Sequence, residues 1–233
     1  MNLQHTYGKA LRWLMIATAL STISVWSPAQ GANAAIYRPE QIEWTWEVRP
    51  EVVNSKLPNV LLVGDSISRN YFPEVSHELK GVANVYLFSS SICVGDPRLE
   101  VELAEFQKME GVRFRVIHFN NGLHGWKYTE GEYKAAFPEY LKAIRDLSPK
   151  ATLIWASSTP MRRPPEPDAS NARVVARNKS ALKIVRRAGI AVDDQYALML
   201  KHQDLYQDDL HFNKVGSDIQ GHQAAEFIEK SLR

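Results

Sequence analysis

The sequence predicts one α/β domain, a three-layer α/β/α sandwich around a five-stranded parallel sheet. Three observations lead there. Five short apolar runs alternate with longer amphipathic stretches along most of the chain. The runs are nearly continuous, without polar alternation, as strands covered on both faces require. Gly81, Gly111 and Gly189 stand just past amphipathic stretches, where a left-handed helix cap calls for glycine.

Taken in order, residues 1–34 carry Lys9 and Arg12 and no acid. The run from Trp13 to Trp26 is largely apolar, Ser27-Pro28 breaks it, and Ala32-Asn33-Ala34 supplies an A-x-A pattern. A basic start, an apolar middle and small residues at a cleavage point describe a secretory signal peptide. The alternative is a retained membrane anchor, but the run falls short of the roughly 18–20 residues that span a bilayer. The expectation is therefore a secreted or periplasmic protein, soluble once the signal is cleaved, with no later membrane span. Residues 35–57, containing Trp44, Trp46 and Pro50, read as an irregular lead-in packed across the domain. Residues 58–233 form the domain itself.

Within it the strand candidates are Val60–Gly64, Val85–Ser89, Phe114–Phe119, Thr152–Ser157 and Ile190–Asp193. Helical patterns run over Ser68–Leu79, Arg98–Met109, Gly131–Leu147, Asn171–Ala188 and Val215–Leu232. In this architecture ligands bind beyond the carboxyl ends of the strands, so candidate chemistry belongs there.

Composition narrows the classes. The full chain has 28 basic and 26 acidic side chains, a formal net charge of +2. Without residues 1–34, which hold two of the bases, the balance is zero, so the slight basicity belongs to the export segment. That balance argues against nucleic acid as a partner. One cysteine, Cys93, excludes an intrachain disulfide and a multi-cysteine zinc site, and reads as a packing residue. No H-E-x-x-H, P-loop or dinucleotide fingerprint occurs, so neither a metal nor another cofactor is expected.

The first strand runs into Gly64-Asp65-Ser66-Ile67-Ser68. Ser66 therefore sits on a tight strand-to-helix turn, either as an exposed nucleophile or as the helix N-cap. Near the other end of the chain, Asp208-Asp209-Leu210-His211 forms D-x-x-H ahead of the last helix. That spacing lets a carboxylate orient an imidazole whose other nitrogen takes a hydroxyl proton. Either motif alone is weak; together they describe a triad.

The G-D-S-I-S block, Gly95 after the second strand, Asn120-Asn121-Gly122-Leu123-His124-Gly125 after the third and the D-x-x-H resemble the SGNH (GDSL) hydrolases. The blocks occur in the family's order from about Pro58 to Leu232. The resemblance implies a flavodoxin-like sheet and serine esterase or lipase chemistry. It makes Ser66 the nucleophile, His211 the base and Asp208, not Asp209, its carboxylate. It also implies an oxyanion hole from the N–H groups of Ser66 and Gly95 and a side chain of the third block. Where the family's usual G-x-N-D has asparagine, this chain has His124, as in a G-L-H branch. An imidazole N–H can fill that role; Asn121 is the alternative donor, and bonding to a strand-end carbonyl is the plain structural role for His124.

Trp126 and Tyr128 are candidates for a substrate-stacking wall, or for core packing. Arg162, in the proline-rich stretch Thr159–Pro167, is a candidate substrate contact, or part of a stiff connector. The resulting expectation is an exported esterase that removes short acyl groups, acetyl foremost, from carbohydrate. A lysophospholipase or thioesterase, a saccharide O-acyltransferase, and a non-catalytic carbohydrate-binding protein on the same fold are the alternatives. Oligomeric state has no signature in the sequence.

Overall fold

A computed structural model describes residues 37–165 and 167–233, so the expected signal segment lies outside the described residues. The parallel strands follow the apolar runs: β2 (Asn59–Gly64), β3 (Asn84–Ser90), β4 (Phe114–Phe119), β5 (Thr152–Ala156) and β6 (Ala191–Asp193). The sheet has a sixth strand, which corrects the expected count. This strand, β1 (Thr45–Val48), comes from the lead-in and pairs antiparallel with β3, Thr45 opposite Ser90 and Val48 opposite Leu87. It is short and mostly exposed, so it lacks the apolar run that marks a buried strand.

The order across the sheet is β1-β3-β2-β4-β5-β6. From β2 the chain moves to β3 on one side and later to β4 on the other, so the winding reverses at β2. A doubly wound sheet opens its ligand crevice at such a reversal, beyond the carboxyl end of the strand.

Helices α1 (Ser66–Glu78) and α6 (Lys214–Leu232) pack together on one face of the sheet. The helices α2 (Pro97–Glu110), α3 (Glu130–Leu147) and α4 (Asn171–Arg187) cover the other. A one-turn helix, α5 (Gln195–Met199), follows β6 and contacts α6. Strand β2 explains why its sequence does not alternate. Val60 and Leu62 face the α1/α6 layer, Leu61 and Val63 the opposite layer, and all four are buried. Among the described residues, no helix is long and apolar enough to cross a membrane.

Local chemistry sets the helix ends. Asp96 accepts the Arg98 N–H and precedes Pro97, whose fixed φ suits the first helical position. Thr129 and Glu132 form a reciprocal capping box at α3. Gly111 closes α2 at φ +62°, a conformation that favours glycine.

Aromatic packing dominates the larger core. Phe88 of β3 meets Phe106 of α2 edge-on at 5.4 Å, and both are fully buried. Phe88→Ala is expected to cost about 3–5 kcal/mol of stability, read as a lowered urea midpoint with unchanged slope.

Candidate active site

The site is built on the turn that ends β2. Gly64 has no Cβ, and one placed there would lie 2.0 Å from Ser68 Oγ, so the chain can turn this sharply only with glycine. Asp65 remains extended, and its Oδ1 accepts the Ile67 N–H at 2.9 Å. Asp65 is thus the N-cap of α1, and Ser66 is its first helical residue. The alternative in which Ser66 caps the helix does not hold: a neighbouring carboxylate already fills that role. The serine hydroxyl is left free to bond elsewhere.

It bonds to His211. Ser66 Oγ lies 2.7 Å from His211 Nε2, and His211 Nδ1 lies 2.9 Å from Asp208 Oδ2. The other Asp208 oxygen accepts the N–H groups of Leu210 and His211 at 2.8 and 2.7 Å, so one side chain shapes the loop and orients the ring. Partial burial works against the Asp208 charge. The His211 and Leu210 amides and the His211 ring outweigh it and hold its pKa below the ordinary carboxylate value. An ionised carboxylate only accepts, which places the proton of neutral His211 on Nδ1 and leaves Nε2 to accept from the serine.

Asp209 points into a different contact, an ion pair at 2.7 Å with Arg163. Its carbonyl accepts the N–H of Arg162 at 2.8 Å, and Tyr206 OH donates to Pro160 O at 2.8 Å. The loop after β5 therefore grips the loop that carries His211. Arg162 takes part through its backbone, with its side chain exposed at the surface.

The two strands beside β2 deliver the remaining loops. Gly95 adopts φ +103° in the loop after β3. Asn121, in the loop after β4, accepts the Val94 N–H at 3.2 Å and donates to Ile92 O at 2.8 Å. Its amide oxygen and one of its two N–H groups thus shape the Gly95 loop. Cys93 is packed against Gly125, where an added Cβ would lie 2.2 Å from the sulfur, and burial pushes its thiol up to about 12.

His124 lies in the same loop as Asn121. Its Nδ1 is 3.0–3.1 Å from both carboxylate oxygens of Glu40 in the lead-in, and Glu40 Oε1 also accepts the Gly125 N–H at 2.9 Å. Its Nε2 is buried and has no partner among the described residues.

Trp126 and Tyr128 are buried, which corrects their reading as a substrate wall. The Trp126 ring lies under Arg177 and Arg173 of α4, and Tyr128 lies under Arg38, whose N–H donates to its hydroxyl. Arg177 itself is buried and donates to the carbonyls of Gly122, His124, Gly125 and Tyr128. The exposed aromatic surface comes instead from the lead-in. Trp46 is 53% exposed, and Arg69, one turn along α1 from Ser66, lies between Trp44 and Trp46 at 5.0 and 5.3 Å from their rings.

Glu40, Arg177 and the Trp44–Trp46 pair were not legible as site residues. Arg173 and Arg177 share a helix face at i,i+4, a spacing that ordinarily marks a solvated stripe. Glu40 sits in a stretch without periodicity.

No family model matches the chain, and no curated protein matches it. Solved structures do. A lipolytic protein of the G-D-S-L family from Veillonella parvula is 16% identical, with a TM-score of 0.58 over 72% of this chain and 96% of that one. A lipase/acylhydrolase from Enterococcus faecalis is 18% identical, with a TM-score of 0.59 over 75% and 96%. A carbohydrate esterase family 3 protein from Talaromyces cellulolyticus is 15% identical, with a TM-score of 0.58 over 76% and 98%. These likenesses establish a shared fold.

Arg177→Met is expected to destabilise the protein by at least about 2 kcal/mol, because several buried carbonyls lose their donor together. Amide exchange should quicken over residues 122–128 before it does in α1. Unchanged protection there would show that α4 does not hold the loop.

Proposed function

We propose that this chain is a serine ester hydrolase of the SGNH (GDSL) type. One observation carries the reading: a serine, a histidine and an aspartate, linked at 2.7 and 2.9 Å, at the carboxyl end of the strand where the sheet winding reverses. The ester hydrolases that share its fold support it.

In this reading Ser66 Oγ attacks the ester carbonyl while its proton passes to His211 Nε2. Asp208 stabilises the imidazolium that forms. The Ser66 N–H belongs to the first turn of α1, where helix amides lack intrahelical acceptors, and it faces the developing oxyanion together with the Gly95 N–H and His124. His211 then gives its proton to the leaving alcohol. Water attacks the acyl-enzyme with His211 as base, and acid is released.

The substrate class we favour is a short acyl group, acetyl foremost, on a carbohydrate. The half-exposed Trp46 beside Arg69 and Trp44 supports a saccharide, because tryptophan faces offer apolar area that sugars can cover. A carbohydrate esterase among the structural neighbours agrees with this. Export to the periplasm or medium is part of the proposal, and it rests on the signal-like residues 1–34.

Ser66→Ala should lower turnover of 4-nitrophenyl acetate at least about 1,000-fold without changing the far-ultraviolet circular dichroism. A fluorophosphonate should label the wild type at Ser66 alone. Activity retained in Ser66→Ala would overturn the assignment. Across acyl lengths, activity should fall from acetate to octanoate; a preference for long chains would favour a lipid substrate. Transfer of the acyl group to added saccharide in preference to water would identify a transferase.

A further inference from the structure

The lead-in to the domain reaches the site. Residues 37–44 cross the loop that carries His124 and are tied down at both ends. Arg38 pairs with Glu132 and donates to Lys127 O, while Lys127 donates back to Pro39 O. Further on, Glu43 pairs with Arg98 and accepts from Ser91 Oγ, and the Trp44 ring meets the His124 ring edge-on at 5.9 Å. Glu40 lies between these anchors, with both carboxylate oxygens at His124 Nδ1.

That contact fixes a proton. A carboxylate has none to give, so the Nδ1 of His124 carries a hydrogen whatever the charge of the ring. In a neutral ring Nε2 would then be a bare lone pair, which repels an oxyanion. Only the imidazolium presents an N–H there. An oxyanion set against the buried, unpartnered Nε2 would meet a donor in one charge state and an obstacle in the other.

We propose that Glu40 is a positioning residue of this site, holding His124 as an imidazolium whose Nε2–H completes the oxyanion hole. The proposal rests on the serine hydrolase reading and extends it: the lead-in becomes part of the catalytic apparatus. It also gives the two histidines opposite requirements, since His211 must be neutral to act as base and His124 must be charged to act as donor.

The surroundings favour the charged ring. Burial works against it, but the bond to Glu40, the nearby Asp65 at the head of α1, and Glu40 and Glu43 of the lead-in outweigh it and raise the His124 pKa above the ordinary histidine value. Burial likewise opposes the Glu40 charge, and His124 with the Gly125 amide reverses that. The cation on the far side is Arg177, which donates to the His124 carbonyl. The Cys93 thiol, packed on Gly125, stays protonated. Because the pKa is raised, the charged form is present at low pH and lost as pH climbs through it, so activity should fall on the alkaline side.

The test is the pH profile of kcat/KM for an aryl acetate. The wild type should be bell-shaped, with charged His124 setting the alkaline limb. Glu40→Gln should move the alkaline limb to lower pH, leave the acid limb in place, and lower kcat at neutral pH by about 100-fold with little change in KM. Glu40→Asp, which restores a carboxylate, should recover part of the loss. His124→Gln, a neutral donor, should abolish the alkaline limb and make Glu40→Gln silent. An alkaline limb that stays put in a folded Glu40→Gln protein would overturn the proposal. Nitrogen NMR of the histidine rings in Ser66→Ala reads the charge without turnover, and a neutral His124 at neutral pH would overturn it too. Full turnover by Ser66→Ala would instead remove the serine reading, and the oxyanion role with it.

Discussion

The bond from Asp65 to the Ile67 N–H decides what the turn after β2 can do. A helix starting at the end of a buried strand must cap its first amides, and serine is among the residues best suited to that task. Because Asp65 takes the capping role, Ser66 is displaced by one position onto the helix. Its hydroxyl is thereby released to His211, and its N–H lies among the uncapped amides of the first turn. The glycine before it allows the turn to close tightly against Ser68. Three consecutive residues thus divide the work of turning, capping and presenting a hydroxyl.

The loops around this turn are tied to one another by side-chain contacts. Asn121 fastens the loop after β3 to the loop after β4. Arg177 gathers the carbonyls of the second loop from beneath, stacked on Trp126 and Tyr133. The loop after β5 holds the His211 loop through Asp209 and Tyr206. Loops from four strands are in this way fixed on a rigid scaffold, as preorganised electrostatic catalysis requires.

The two histidines show how one contact serves two ends. Each has a carboxylate at Nδ1: Asp208 for His211, Glu40 for His124. At His211 that arrangement leaves Nε2 bare and basic toward Ser66. At the more enclosed His124, with Asp65 and Glu43 also near, it favours the cation. In our proposals the same local chemistry gives a base in one setting and a charged donor in the other.

Ser66, Asp208 and His211 could be singled out in the sequence because each lies within a few residues of its own signal, a strand end or a D-x-x-H. The parallel strands were equally legible, since burial on both faces leaves a continuous apolar run. Strand β1 was not, because an exposed edge strand needs no such run. Trp126 and Tyr128 stayed open between a substrate wall and core packing because the arginines over their rings lie far off in the chain, Arg173 and Arg177 for Trp126 and Arg38 for Tyr128. Glu40 had no local mark at all; its contact with His124 spans 84 residues. By itself, then, the sequence determined the layer architecture and the serine, aspartate and histidine, because periodicity and short motifs are local. The tertiary structure alone decided which residues cap, bury and charge them, because those roles depend on partners that only folding brings within hydrogen-bonding distance.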